Sequence, residues 1–287
     1  MSDFQNRHNR KHHRKHESIS YYAFRFLLVL LLIIGIAILI KIVNKWDFSD
    51  QGISPDTEDV TPTPEATPVP ENPFADLTDS DVYTFLQGPV AWNSKTPWSG
   101  SWCEEVLAGQ RFSVFGCGHC CMANIYSTLT PFDCSPVDMF DLAREVTNYA
   151  PSAEYGAIAW EYMQQALQTT GVYSTLREKD ETYEEFQQSM KDGVTAICNV
   201  NSGDDNTYWQ DVTGHYVNIW LYNSEDDTVF LADSGNPGHN RQRIPLRYVY
   251  DALKTSDVYQ YMLVESVDPD GNTWGHNGID WDWNPPW

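Results

Sequence analysis

Near Asp192-Gly193 the sequence changes its hydrophobic period, and this limits the possible folds more than any other feature. Upstream, apolar residues recur at helical spacing: Cys121, Ile125 and Leu129 with Met122 and Tyr126 alongside, then Val137, Phe140, Ala143 and Val146. Downstream come short runs that read as strands, at 194–200, 215–222, 228–233 and 259–265. A helix near 246–254 separates the last two. Helices first and strands after predict a segregated α+β domain rather than an alternating α/β one. Ser135-Pro136-Val137-Asp138 and Thr182-Tyr183-Glu184-Glu185 are capping boxes and predict helix starts. A third helix is expected over 157–168 and a short strand over 83–87, ended by Gly88-Pro89. Gly171-Val172-Tyr173 and residues 201–213 read as loops that could rim a cleft.

The charge is unevenly spread. The chain carries 18 Lys/Arg against 40 Asp/Glu, net -22; residues 1–46 hold eight basic and two acidic residues (+6), which leaves -28 for the rest. So acidic a body repels nucleic acid, and no nucleic-acid partner is expected. The basic cluster from Arg7 to His16 precedes Phe26 to Ile40, fifteen uncharged and mostly aliphatic residues. With their flanks, whose charges can snorkel, residues 21–43 approach the roughly 20 residues that a bilayer requires. No small-residue cleavage site closes the run, because Leu39-Ile40-Lys41-Ile42-Val43 is bulky. The expectation is a basic cytoplasmic tail (1–20), an uncleaved signal-anchor helix (21–43) and an outward-facing body, with positive charge kept inside. Residues 44–80, with Thr61-Pro62-Thr63-Pro64 at their centre, read as an extended Pro/Thr/acidic stalk. A folded domain over 81–266 and a Trp-rich tail over 267–287 follow. The tail's Trp274, Trp281, Trp283 and Trp287 either pack across the domain or stack on a sugar-bearing polymer.

Three residues in the body make a chemical set. Gly116-Cys117-Gly118 opens the first helix, where the positive end of the helix dipole favours thiolate. Its flanking glycines would keep the sulfur accessible. Gly214-His215-Tyr216 opens a strand, and Asp233 closes the next. If their hairpin centres on Ser224, His215 and Asp233 are directly paired; if on Glu225, they are diagonal neighbours. Either register puts them on one face with Val217, Ile219, Val229 and Leu231, and that face is expected to pack on the Cys117 helix. Nucleophile, base and orienting carboxylate are what a thiol hydrolase needs.

At these residues the chain resembles the papain-like cysteine peptidases. More narrowly, it is similar to the bacteriocin-leader (double-glycine) peptidases and their stand-alone extracytoplasmic relatives. The resemblance covers roughly residues 82–265. It implies a papain-like fold, in which a helical part carrying the nucleophile packs on an antiparallel sheet. It implies Cys117 as nucleophile, His215 as general base and then acid, and Asp233 as orienter. It also implies a glutamine upstream as oxyanion donor: Gln87 is favoured, because Gln-Gly-Pro before a Trp-rich stretch resembles the stand-alone relatives, and Gln110 is the alternative. The chain departs from the family where His119-Cys120 stand in place of Pro-Thr, and where Ser234 rather than Pro follows the acid.

Cys117 and Cys120 have C-x-x-C spacing, but no second ligand pair follows at zinc-finger spacing, so neither metal nor cofactor is expected. Outside the cell, disulfides would be permitted among the other cysteines. The expected partners are a peptide or protein substrate, the membrane through residues 21–43, and the cell wall. Hydrolysis of peptidoglycan stem peptides by the same residues, and a non-catalytic surface-binding role, are the alternatives to proteolysis.

Overall fold

The computed structural model describes residues 74–88, 105–107, 109–151, 157–202 and 208–279. The anchor at 21–43, most of the stalk, and Trp92, Trp98, Trp102, Trp281, Trp283 and Trp287 lie outside the described residues. Among the described residues no helix is long and apolar enough to cross a membrane. The chain divides into two units, Met1–Thr67 and Pro68–Trp287, and everything below concerns the second.

Two short strands, β1 (Val106–Leu107) and β2 (Gln110–Arg111), form a ribbon ahead of four helices. These are α1 (Phe112–Phe115), α2 (Cys117–Leu129), α3 (Pro136–Val146) and α4 (Trp160–Thr169). Strand β3 (Thr170–Arg177) and helix α5 (Tyr183–Asp192) follow. Then come β4 (Thr195–Val200), β5 (His215–Asn223), β6 (Thr228–Ala232), β7 (Gln242–Pro245), α6 (Leu246–Ala252) and β8 (Tyr261–Asn272). The six longer strands make one antiparallel sheet in the order β3-β8-β4-β5-β6-β7. The α+β class and the antiparallel sheet agree with the sequence reading.

Both capping boxes form. Ser135 Oγ accepts the Asp138 N–H at 3.2 Å and Thr182 Oγ1 accepts the Glu185 N–H at 3.2 Å, each reciprocated by the acid. Each box satisfies two donors that the first turn would otherwise leave unpaired, and so fixes where the helix starts.

The sheet is buried on both faces. Ile197, Trp220, Phe230, Ala232, Met262 and Val264 pack with α2, α3 and α4. Ala196, Val217, Ile219, Val229, Leu231 and Leu263 pack with α5 and α6. The face sharing its alternation with His215 therefore lies against α5 and α6, not against the Cys117 helix as expected. With helices on both faces both alternations must be apolar, so alternation alone could not choose. Helix α2 is buried nearly all round, every residue except Thr128. It is a central helix with no solvent stripe.

Two further expectations are corrected, and two open alternatives are decided. Residues 83–87 do not form a strand. Their backbone is held by other partners: Tyr83 N–H donates to Thr128 Oγ1 at 3.0 Å, Phe85 N–H to Asn124 Oδ1 at 2.8 Å and Gln87 N–H to the Ser234 carbonyl at 2.8 Å. Gly171-Val172-Tyr173 is the start of an edge strand, with Gly171 at φ +78 beside a register shift against β8. The hairpin between β5 and β6 pairs Asn218 with Ala232 and Ile219 with Leu231, sums of 450, which is the register centred on Glu225. Past β8, Trp274 sits 5.0 Å from the Tyr126 ring and stacks on His276 at 4.6 Å, so this tail tryptophan packs over α2.

Candidate active site

Helix α2 starts at Cys117, and α1 runs into it through Gly116 in helical conformation (φ -73, ψ 0). The two flanking glycines serve packing. A Cβ at Gly116 would stand 2.4 Å from the Phe112 ring, and one at Gly118 would stand 2.6 Å from Ile158 Cγ2. They let neighbouring side chains close around Cys117, which is only 8% exposed, rather than opening it to solvent as expected.

His215 is the first residue of β5 and lies near enough to the thiol to lower its pKa. Its Nε2 lies 2.8 Å from Asp233 Oδ1, which leaves Nδ1 as the nitrogen that shares a proton with sulfur. The diagonal register seats Gly235 opposite His215, and a Cβ there would come within 2.8 Å of the ring. Glycine is what lets the imidazole lie flat against the strand end.

Asp233 is fully buried. Its Oδ1 also accepts the Gly235 N–H at 3.0 Å and the Asn236 N–H at 3.1 Å; Oδ2 accepts Trp209 Nε1–H at 3.0 Å and lies 3.3 Å from His239 Nδ1. Burial alone would raise its pKa, but the His215 charge, hydrogen bonds from His215 and Trp209, and the neighbouring His239 hold it well below the usual carboxylate range. For His215 burial pushes downward and the Asp233 charge upward; the carboxylate and the thiol together raise it to about 10. For Cys117 burial pushes upward, but His215, and the backbone N–H groups of Tyr216 and Gly118, bring it below its ordinary value. The shifts run in the direction of a thiolate beside an imidazolium over a buried carboxylate.

Gln87 is drawn into this cluster. Ser234 Oγ–H donates to its Oε1 at 2.9 Å, and its Nε2 donates to the Ser113 carbonyl at 3.0 Å. That arrangement leaves one amide hydrogen uncommitted. Gln110, the alternative, lies on β2 and pairs with Leu107. Gln87 lines a cavity of about 480 Å³ with Trp209, His215, Asp233, Asn236 and His239, and Gln110 does not.

Cys120, Cys121, Cys134 and Cys198 are free and buried, and burial pushes each thiol well up. His119 points away from the sulfur cluster into a cage of Phe112, Phe115, Phe140 and Tyr149, with centroids 5.4–6.0 Å away. Neither of its ring nitrogens has a hydrogen-bond partner. Among the described residues no group of three His, Cys, Asp or Glu is placed to hold a metal ion. Trp209, Ser234 and His239 escaped the sequence reading. The one signal for them is that aromatic and polar residues crowd the two segments flanking His215 and Asp233.

An α+β domain with its cysteine at the start of a buried helix, packed on an antiparallel sheet, fits the papain-like fold. The chain belongs to the Peptidase_C39 like family, whose model matches residues 100–264, and this membership supports cysteine-peptidase activity. No curated protein is similar enough to match.

Proposed function

We propose that this protein is a membrane-anchored extracytoplasmic cysteine peptidase that cleaves peptide bonds through Cys117, His215 and Asp233. The observation carrying the reading is the relay itself: a helix-start thiol beside His215, whose Nε2 lies 2.8 Å from the fully buried Asp233. The Cys117 thiolate attacks the scissile carbonyl carbon. The Gln87 amide, with its free hydrogen, steadies the oxyanion. The His215 imidazolium then gives its proton to the departing amine, leaving an acyl-enzyme. Neutral His215 takes a proton from water, which attacks the thioester and releases the acid. Asp233 keeps the ring oriented and its charge balanced throughout. Anchorage by residues 21–43 is supported by the basic-then-aliphatic pattern of the sequence.

The test is to incubate the purified chain with a peptide library and, separately, with purified cell wall. Peptide cleavage that Cys117→Ala abolishes supports the reading. Release of muropeptides alone would move the substrate to wall stem peptides. No turnover in either assay, with phenotypes unchanged by Cys117→Ala, would leave a binding module.

A further inference from the structure

We propose that His239 is a positioning residue of the relay, holding Asp233 in the orientation that His215 requires. The proposal rests on the triad reading above, to which it adds a fourth member.

A carboxylate can turn about its terminal bond, and only one rotation aims an oxygen at His215 Nε2. Both oxygens of Asp233 are engaged, and differently. Oδ1 carries His215 and two backbone N–H groups; Oδ2 carries Trp209 Nε1 at 3.0 Å and faces His239 Nδ1 at 3.3 Å. His215 and His239 thus approach one buried carboxylate through opposite oxygens. His239 Nδ1 makes no aligned hydrogen bond as it stands and has Oδ2 beside it at 3.3 Å; a small turn of the ring lets an Nδ1–H give Oδ2 a second partner and resist rotation that would carry Oδ1 off His215.

His239 is itself held firmly. Its ring stacks on Tyr208 with centroids 4.3 Å apart and planes 28° from parallel, and Trp209 stands edge-on to it. Its N–H donates to the Asn236 carbonyl at 3.0 Å. The loop that carries it folds back on the acid: Asn236 Oδ1 accepts the Gly238 N–H at 2.9 Å, and Asn240 Oδ1 accepts the Asp233 N–H at 3.1 Å. Asn240 Nδ2 ties the same loop to the Thr84 carbonyl at 3.1 Å, in the segment that ends at Gln87. A site held this way is preorganised by its supporting residues. The His239 side chain is 24% exposed, so it can be altered without opening the core.

The readout is the Cys117 thiolate, which needs no knowledge of the substrate. Iodoacetamide alkylation of Cys117 in the folded chain is followed by mass spectrometry from pH 4 to 9. Wild type should label with a midpoint well below that of an ordinary thiol. His239→Ala should raise the midpoint by about one pH unit, roughly a tenfold slower reaction on the acid side, the order expected for one charge-assisted hydrogen bond. His239→Asn, which keeps a donor near the same place, should recover most of that shift. A merely structural histidine would lower the thermal midpoint in both variants and leave the labelling midpoint unmoved, and that outcome overturns the proposal. If wild type cleaves no peptide yet His239→Ala moves the labelling midpoint, the peptidase reading fails and the positioning role stands. If wild type cleaves peptides and the labelling midpoint stays put, the role fails and the peptidase reading stands.

Discussion

At the scale of single residues, two histidines show how far surroundings decide chemistry. His215 faces a buried carboxylate and is raised to about 10; His119, only two residues from Cys117, sits among four aromatic rings and burial lowers it to about 3. The consequence for stability has a definite sign. The folded His119 is depressed below its ordinary 6.5, so between those values the unfolded chain binds a proton that the folded one refuses. This contribution is intact above pH 6.5 and is lost as pH falls toward 3, at about 1.4 kcal/mol per pH unit. Urea melts at pH 4, 5.5 and 7 should show His119→Leu losing less stability with acid than wild type by that slope. At pH 7 the leucine should gain about 1–2 kcal/mol, because two unpaired buried nitrogens disappear. Parallel pH profiles for the two proteins would refute the account.

At the scale of elements, Asn124 joins three pieces. From inside α2 its Oδ1 accepts the Phe85 N–H at 2.8 Å and its Nδ2 donates to Asn218 Oδ1 on β5 at 2.9 Å. Asn124→Ala should cost about 3 kcal/mol in urea melts, because it removes both bonds from a buried site. It should also cut turnover in excess of the stability loss, since the Phe85 segment delivers Gln87. A loss below about 0.5 kcal/mol would mean that solvent replaces the amide. The same residue shows where sequence reading stopped. Caps, helical stripes and strand runs are local, so α2, α3, α5, β4, β5 and β6 were legible, and with them the positions of Cys117, His215 and Asp233. What Asn124 does is decided by chain 39 residues upstream and 94 downstream, which no window contains. Residues 83–87 look like a strand until two of their donors are seen to go to side chains and that of Gln87 to a lone carbonyl, that of Ser234. Strand β7 ends in Pro245, which argues against a strand except at a sheet edge, where β7 lies. His239 and Trp209 belong to the site only because Asp233 is buried between them.

At the scale of the whole molecule, the reading of an anchored, outward-facing body makes a topological prediction. Protease added to intact cells should release the domain by cutting the Pro/Thr-rich stalk, while a cytosolic marker stays whole. A domain cut only after lysis would reverse the orientation. The strand order carries a further consequence, for timing. β8 is the last strand among the described residues, yet it occupies an interior place in the sheet, between β3 and β4. Until it is made, β3 has no neighbour and β4, which flanks β5, is paired on one side only. Chains emerge from the ribosome amino end first at roughly 5–20 residues per second. Cys117 therefore waits on the order of ten seconds for the strand that completes its sheet. A nascent or truncated chain carries the Cys117 sulfur before the sheet that positions His215 is finished.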